Sequence, residues 1–448
     1  MDRPDLPRRP RQRRRIELQQ EQDDTEAVLE AAGGNHHPVT TIYHLHDDLL
    51  RLSHALLGVG HFRYGPLACK MFLRASELQL GYRKITTGES VTSSISCAQK
   101  YFKDKGTDDN QFQFFWCSAA RYGRVEVMQW AHEQGYSAAW NQEHGFLRSL
   151  GSATCAKAAE YGHLYALQWL KQNGCNWDSR TCSAAALGGH LPILQWAREN
   201  GCDWNRKTCA DAARNGHLSI LQWARENGCS WDEYTCCDAA EGGHLSCLQW
   251  ARENGCSWDS DACLAAARNG HLSCLQWARE NGCDWHSNTC LAAAENGHLS
   301  CLQWARENSC SWDNDTCFGA ARNGRLSCLQ WARENGCDWH GNTCYIAACF
   351  GHFSCLQWAR ENGCPWNAET CTVAARGGRL HILQWARDNG CPWNAETCMV
   401  AARGGHLSCL QWARENGCPW NAETCMVAAR GGHLSCLQWA RENGCPEK

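Results

Sequence analysis

The stretch TCADAARNGHLSILQWARENGCSW, residues 208–231, decides the fold. Shifted by 27 residues it is met again, and from Cys155 through Cys182, Cys209, Cys236 and Cys263 to Cys425 the step never changes. Eleven units share the pattern T-C-x-x-A-A-x-x-G-H-L-S-C-L-Q-W-A-R-E-N-G-C-x-W, and residues 391–417 recur unchanged as 418–444. A degenerate unit, from Trp116 through Trp130, precedes them by about twelve extra residues. A period of this length marks one supersecondary unit stacked on copies of itself. The 448 residues therefore measure a number of repeats, not a number of globular domains.

Two short helices are readable in each unit. Thr181 or Thr208 is expected to cap the first through its hydroxyl, and Ala-Ala follows in a helix-forming stretch. The Gly before His190 or His217 ends it, where a left-handed residue is needed. The second helix, residues 218–227, carries Leu218, Ile220, Leu221, Trp223 and Ala224 on one apolar arc, with Ser219, Gln222, Arg225 and Glu226 opposite. Helices of about ten residues are marginal in water, so each persists only by stacking on the next unit.

The run A-A-x-x-G-H-L-x-x-L-x-x-x-x-x-x-G-C, as in residues 158–175, resembles the ankyrin repeat, with Thr-Cys where that family has Thr-Pro. At 27 residues the unit is six shorter than the family's. One residue is missing from the first helix and five where the family builds its β-hairpin fingers. The resemblance covers roughly residues 113–445. It implies an all-α, ankyrin-like solenoid of about twelve two-helix units with reduced or absent fingers, and binding of other proteins.

Three repeated residue types invite chemistry. Of the 34 cysteines, 29 fall on three ladders: eleven at the Thr-Cys step, eleven after the Gly or Ser309 that ends the second helix, and seven inside that helix. In the last ladder Ala166, Ile193, Ile220 and Ile382 replace Cys, so the site is apolar and Cys packs there as a small hydrophobe. Equivalent residues of stacked helices lie about 8–10 Å apart, beyond disulfide reach, and no C-x-x-C pair offers a zinc site. A thiol-rich metal buffer or redox sensor stays as the alternative from another class. The His after Gly is replaced by Arg124, Arg325 and Arg379, which cannot ligate a metal, so a turn or surface role is expected. Twelve Trp in Q-W-A-R or its variants and ten in C-x-W are expected in the core. The Arg-Glu of A-R-E-N reads as a solvated helix face. No cofactor is implied, and no unique set of nucleophile, base and oxyanion donors stands out from the repetition, so an enzyme is not expected.

The net charge of −4 hides a contrast near the N-terminus: residues 1–15 carry seven Arg against Asp2 and Asp5, and residues 16–30 carry six acids and no Lys or Arg. The remaining chain is almost neutral, poor material for a phosphate-binding surface, so nucleic acid is not an expected partner. No run approaches the length of a membrane helix, and no secretory signal is readable. The chain is thus expected to be a cytoplasmic monomer with reduced thiols. Arg8 to Arg15 reads equally as a nuclear-localisation patch or a solvated tail.

The N-terminal part divides into a tail, 1–42, and a small helical module, 43–112, ahead of the solenoid at 113–448. Leu45, Leu49 and Leu50, then Leu56 and Leu57, then Cys69 and Phe72 resemble an F-box, with His46 where that family usually has Pro and Phe72 where it often has Trp. The resemblance implies that these residues dock on the adaptor of a cullin-type ubiquitin ligase, the chain then being a substrate receptor. The other reading is a cap on the first repeat.

Variation between units places the partner surface. Arg206, Glu233, Tyr234, Asp261 and His286 follow the C-x-W Trp, and Asp211, Asp238, Phe318, Tyr345 and Ile346 sit two or three residues after the Thr position. These are expected on the inter-unit turn and first-helix face, with Tyr and Phe exposed among charges. Since each unit touches only its neighbours, a chain lacking residues 391–417 is expected to fold with the same helical signature per residue. Loss of helix by circular dichroism contradicts the one-dimensional reading.

Overall fold

The computed structural model describes residues 91–105, 109–136 and 148–446, all within a compact unit spanning 86–448. Among them are twenty-five helices and no strand. Twenty-four form twelve consecutive pairs, from Asp109–Arg121 with Val125–Glu133 to Ala422–Arg430 with Leu434–Glu442. This is the all-α stack of two-helix units that the repeat predicts, with plain turns between units.

First helices begin earlier than expected. The caps are Asp178 and Asn205, whose side-chain oxygens accept the N–H of Arg180 and of Lys207, each at 3.0 Å. Thr181 and Thr208 lie inside the first turn and are fully buried, their N–H groups bonded to the cap carbonyls at 2.9 Å. Asp and Asn outrank Thr as caps, and Asp or Asn follows the C-x-W Trp in eight of its ten occurrences.

Second helices have no side-chain cap at all. The His at that place turns to the preceding unit instead: the Nε2 of His163, His190 and His217 donates to the carbonyls of Arg121 at 2.9 Å, Glu160 at 3.2 Å and Leu187 at 3.2 Å. The ring lies against the left-handed glycine that ends the neighbouring first helix. At Gly162, φ +83°, a Cβ would stand 2.8 Å from the His190 ring, so both the backbone conformation and the close approach require Gly.

First helices pack most closely on one another, second helices more loosely. Ala212, Ala213, Ala239 and Ala240 are fully buried between them. At Gly188 a Cβ would meet the Glu160 carbonyl oxygen at 2.1 Å, so the helices there touch through backbone. The expected module boundary at residue 112 falls inside the helix Asp109–Arg121. Ahead of it the helix Ile95–Lys105 packs on Val125–Glu133, with the Phe102 ring 4.8 Å from Phe115 and 4.5 Å from Tyr136. The F-box-like residues Leu45 to Phe72 and the tail lie outside the described residues.

Every second helix but one ends on a left-handed glycine; the exception is Ser309, φ +66°. A side-chain-bearing residue there is disfavoured by about 1–2 kcal/mol, partly offset by the freer unfolded chain that Gly brings. Ser309→Gly is therefore expected to stabilise the chain by about 0.5–1 kcal/mol. Urea unfolding measures it, and an unchanged or lower midpoint contradicts the strain.

Candidate partner-binding surface

The variable residues after the C-x-W Trp are the cap and first turn of each first helix. Arg206, Glu233 and Tyr234 are exposed there, Tyr234 by 47%. Arg206 reaches across to Asp232 of the next unit at 2.9 Å. His286 departs from the expectation of a free surface residue. It is half-buried, its Nδ1 accepts the Asn288 N–H at 3.1 Å in place of an Asp or Asn cap, and its Nε2 lies 3.9 Å from Asp261.

Deeper in the helix the expectation of exposure fails. Phe318, Tyr345 and Ile346 are half-buried; Tyr345 and Ile346 pack on the core, and the Phe318 ring lies 4.8 Å from His340. The cause is the tight first-helix row, where these positions face the next unit. Leu291 fills the space a Cβ on Gly319 would take, at 2.6 Å, and Thr372 Oγ1 meets Thr397 Oγ1 at 3.4 Å. Large in one unit answers small in the next. Variation here is largely complementary packing.

Asp211 and Asp238 are half-buried in the same row. Burial pushes each carboxyl up to about 6, against the pull of Lys207 and Arg214 on Asp211 and of Arg214 on Asp238. The Arg214 guanidinium pairs with Asp238 and, at 2.8 Å, with Glu241. Neither Arg214 nor Glu241 had been singled out, yet their signal is in the sequence: position 214 and its equivalents read Arg214, Glu241, Arg268, Glu295, Arg322, the sign reversing with each unit. Arg322 and Glu295 approach to 3.8 Å.

The other edge of the second helix holds the tryptophans. They are half-buried rather than enclosed, packed on the outside of the core. Each C-x-W ring meets the Q-W-A-R ring of the next unit edge to face, as in Trp177–Trp196 at 5.6 Å and Trp231–Trp250 at 5.8 Å. Such pairs add about 0.5–1.5 kcal/mol beyond area burial. The Arg of A-R-E-N is not simply a solvated face. Arg225 lies 4.5 Å over Trp231 and donates from Nη1 to the Cys229 carbonyl at 3.1 Å, so it covers the ring and closes the helix end.

All described cysteines are free thiols. The sequence reading compared each Cys with its equivalents in other units, but the close pairs lie within a unit. Cys155 and Cys175 sulfurs stand 3.7 Å apart, and the second cysteine of most pairs also donates to the backbone at the start of its own first helix, as Cys202 to the Asp178 carbonyl at 3.3 Å and Cys256 to the Asp232 carbonyl at 3.2 Å; in two units Thr289 and Thr343 take that carbonyl instead. The neighbouring Cys202 sulfur and burial together raise the Cys182 thiol. Burial, with Cys247 adding to it, pushes Cys274 in the second-helix ladder up to about 11. Among the described residues no group of three or more His, Cys, Asp or Glu is placed to hold a metal, and no helix is long and apolar enough to cross a membrane.

No family model matches the chain, and no curated protein matches it. Among solved structures it is similar to the human ASB11 ankyrin repeat domain, with TM-score 0.32 and 19% identity, over 35% of this chain and 84% of that one. It is also similar to the pentatricopeptide repeat protein PPR10 from maize, with TM-score 0.32 and 14% identity, over 89% of this chain and 68% of that one. PPR10 in complex with an 18-nucleotide psaJ RNA element gives TM-score 0.36 and 13% identity, over 95% and 74%.

The partner sulfur lowers the second thiol of a pair, as Cys182 does Cys202, but thiols enclosed this fully are out of a reagent's reach and react slowly. Ellman's reagent on the native chain is expected to modify Cys97, the exposed one among the described cysteines, ahead of every ladder cysteine, and to reach all 34 only after denaturation. Rapid native modification of ladder cysteines contradicts the packing role.

Proposed function

We propose that this chain is a non-catalytic scaffold that binds other proteins, as a monomer, through the first turns and exposed first-helix faces of its stacked units. One observation carries the reading. The residues that fix one unit on the next barely change along the array, while the first-turn residues between 205 and 261 change freely: Arg206 and Lys207, then Glu233 and Tyr234, all exposed, then Ser260 and Asp261, both half-buried. A rigid array with a variable exposed row suits recognition of a shaped protein surface. Tyr234, about half exposed between charged neighbours, has the composition of an interface hot spot. Against catalysis stand the burial of the ladder thiols and the repetition itself, which sets the same polar groups at every step.

Affinity purification with mass spectrometry identifies the partner, and Tyr234→Ala is expected to weaken it by about 1 kcal/mol or more. Arg206→Ala should add a smaller loss, part of its charge being held by Asp232. A partner that survives both substitutions but is lost on deleting residues 391–445 places recognition in the monotonous terminal units and refutes this location.

A further inference from the structure

From residue 313 onward the acids gather at one edge, together with the Arg near the end of each second helix, and the other edge keeps arginine alone. The loops joining first to second helices, with the residues flanking them, hold Arg322, Arg325, Arg376, Arg379, Arg403 and Arg430 and no acid. Every Asp and Glu of residues 313–446 lies at the opposite edge, in the first turns of first helices, the last turns of second helices or the turns between units. Two of the six arginines hold long ion pairs, Arg322 with Glu295 and Arg376 with Glu396, each at 3.8 Å, and both stay open to solvent.

Helix stability accounts for four of them. Arg322, Arg376, Arg403 and Arg430 end first helices, where a cation meets the negative end of the helix dipole. It does not account for Arg325 and Arg379. These stand at the caps of second helices, where a cation faces the positive end, and they replace the His that the units around them use. His352 between them is held below its ordinary value, first by burial, and adds no charge at neutral pH.

Three more departures from the repeat gather at the same place. Phe350 stands where every other unit from residue 178 has Gly or Asn, Phe353 where the others have Leu, and His381 where its neighbours have Ser354 and Ser408. Phe350 is 48% exposed, with the Arg322 guanidinium 5.8 Å from its ring. The Phe353 and His381 rings meet at 5.6 Å. Arg379 lies over Gly351, its Nε 2.6 Å from where a Cβ would be. An exposed aromatic ring thus stands between the arginines of the units on either side of its own.

We propose that this edge, over residues 322–381, docks an extended acidic segment of a partner protein, with one apolar side chain of that segment packed on Phe350. The proposal rests on the scaffold reading and assigns a second surface, opposite the first-turn row. Units follow one another at about 10 Å, and the side chains on one face of an extended strand recur at about 7 Å. The arginine-bearing units flank that of Phe350, so acids about three residues to either side of the apolar one meet Arg325 on one side and Arg379 on the other, whose planar forks fit carboxylates. A nucleic-acid duplex, with a charge about every 1.7 Å, is far denser than this row. A single strand needs successive free ring faces, and the Trp rings are packed edge to face in pairs and covered by Arg, Trp385 also meeting Phe353 at 5.6 Å.

The test uses the full chain and the variant R325H/F350N/F353L/R379H/H381S. Each change installs a residue the repeat itself uses at that position, so the variant is expected to fold, which circular dichroism checks. Fluorescence anisotropy follows a labelled peptide of about fifteen residues with Glu at alternate positions around a central Leu. The chain is expected to bind it about tenfold or more tightly than the Gln counterpart, and the variant to lose that preference. Equal binding of the Gln peptide, undiminished binding by the variant, or tighter binding of a labelled oligouridylate of equal length overturns the proposal. None of these touches the scaffold reading if a protein partner is still recovered and still lost with Tyr234→Ala. Failure to recover any partner sinks that reading instead.

Discussion

Backbone contact between consecutive first helices governs the rest of the molecule. Where Gly188 lies against the Glu160 carbonyl there is no room for a single carbon, and the buried Ala pairs of later units keep the same row close. That spacing brings the His190 ring within reach of a carbonyl in the unit before it. It also sets the Trp177 and Trp196 rings edge to face at 5.6 Å. Each contact is worth about 1 kcal/mol. Repeated along the array, such contacts hold helices that are too short to stand alone. The second helices, with wider residues, pack more loosely, and so their Trp rings stay half open where a globular core would enclose them.

The cysteines follow from the same geometry. The thiol after each second helix must sit beneath the start of its own first helix for the unit to close, and it finds there a cap carbonyl to donate to and a sulfur to touch. A larger side chain has no space in that corner, and a hydroxyl would need a stronger partner than a shared thiol. Cysteine, small and a weak donor, fits both demands.

The helix count, the pairing, the glycine stops and the apolar second-helix arc were legible in the sequence because each is a strict 27-residue recurrence. The first-helix cap was not read, although Asp178 and Asn205 stood in plain view, because Thr also caps helices and seemed to come first. Distinguishing them needs the knowledge that Thr181 is enclosed by a neighbouring unit. Phe318 and Tyr345 were misplaced for a related reason. Variation from unit to unit is not by itself exposure: Leu291 against Gly319 shows residues varying in compensating pairs across a buried seam. The Arg and Glu that alternate at position 214 and its equivalents are the polar form of that compensation, and their alternation in sign was there to be read.

Two kinds of variation therefore coexist in one repeat, and physics separates them. A substitution that its neighbour answers in size or charge preserves the stack and says nothing of partners. One that sets a charge against the helix carrying it, or opens an apolar ring to water, works against stability even where a neighbour touches it, as Arg379 touches Gly351 and Arg322 faces Phe350. Arg325 and Arg379, set at the positive ends of second helices, and Phe350, opened to water where Gly or Asn serves elsewhere, are of this second kind. Because the array tolerates them at some expense in stability, and because they converge on one edge across three units, the compensation for them lies outside the chain.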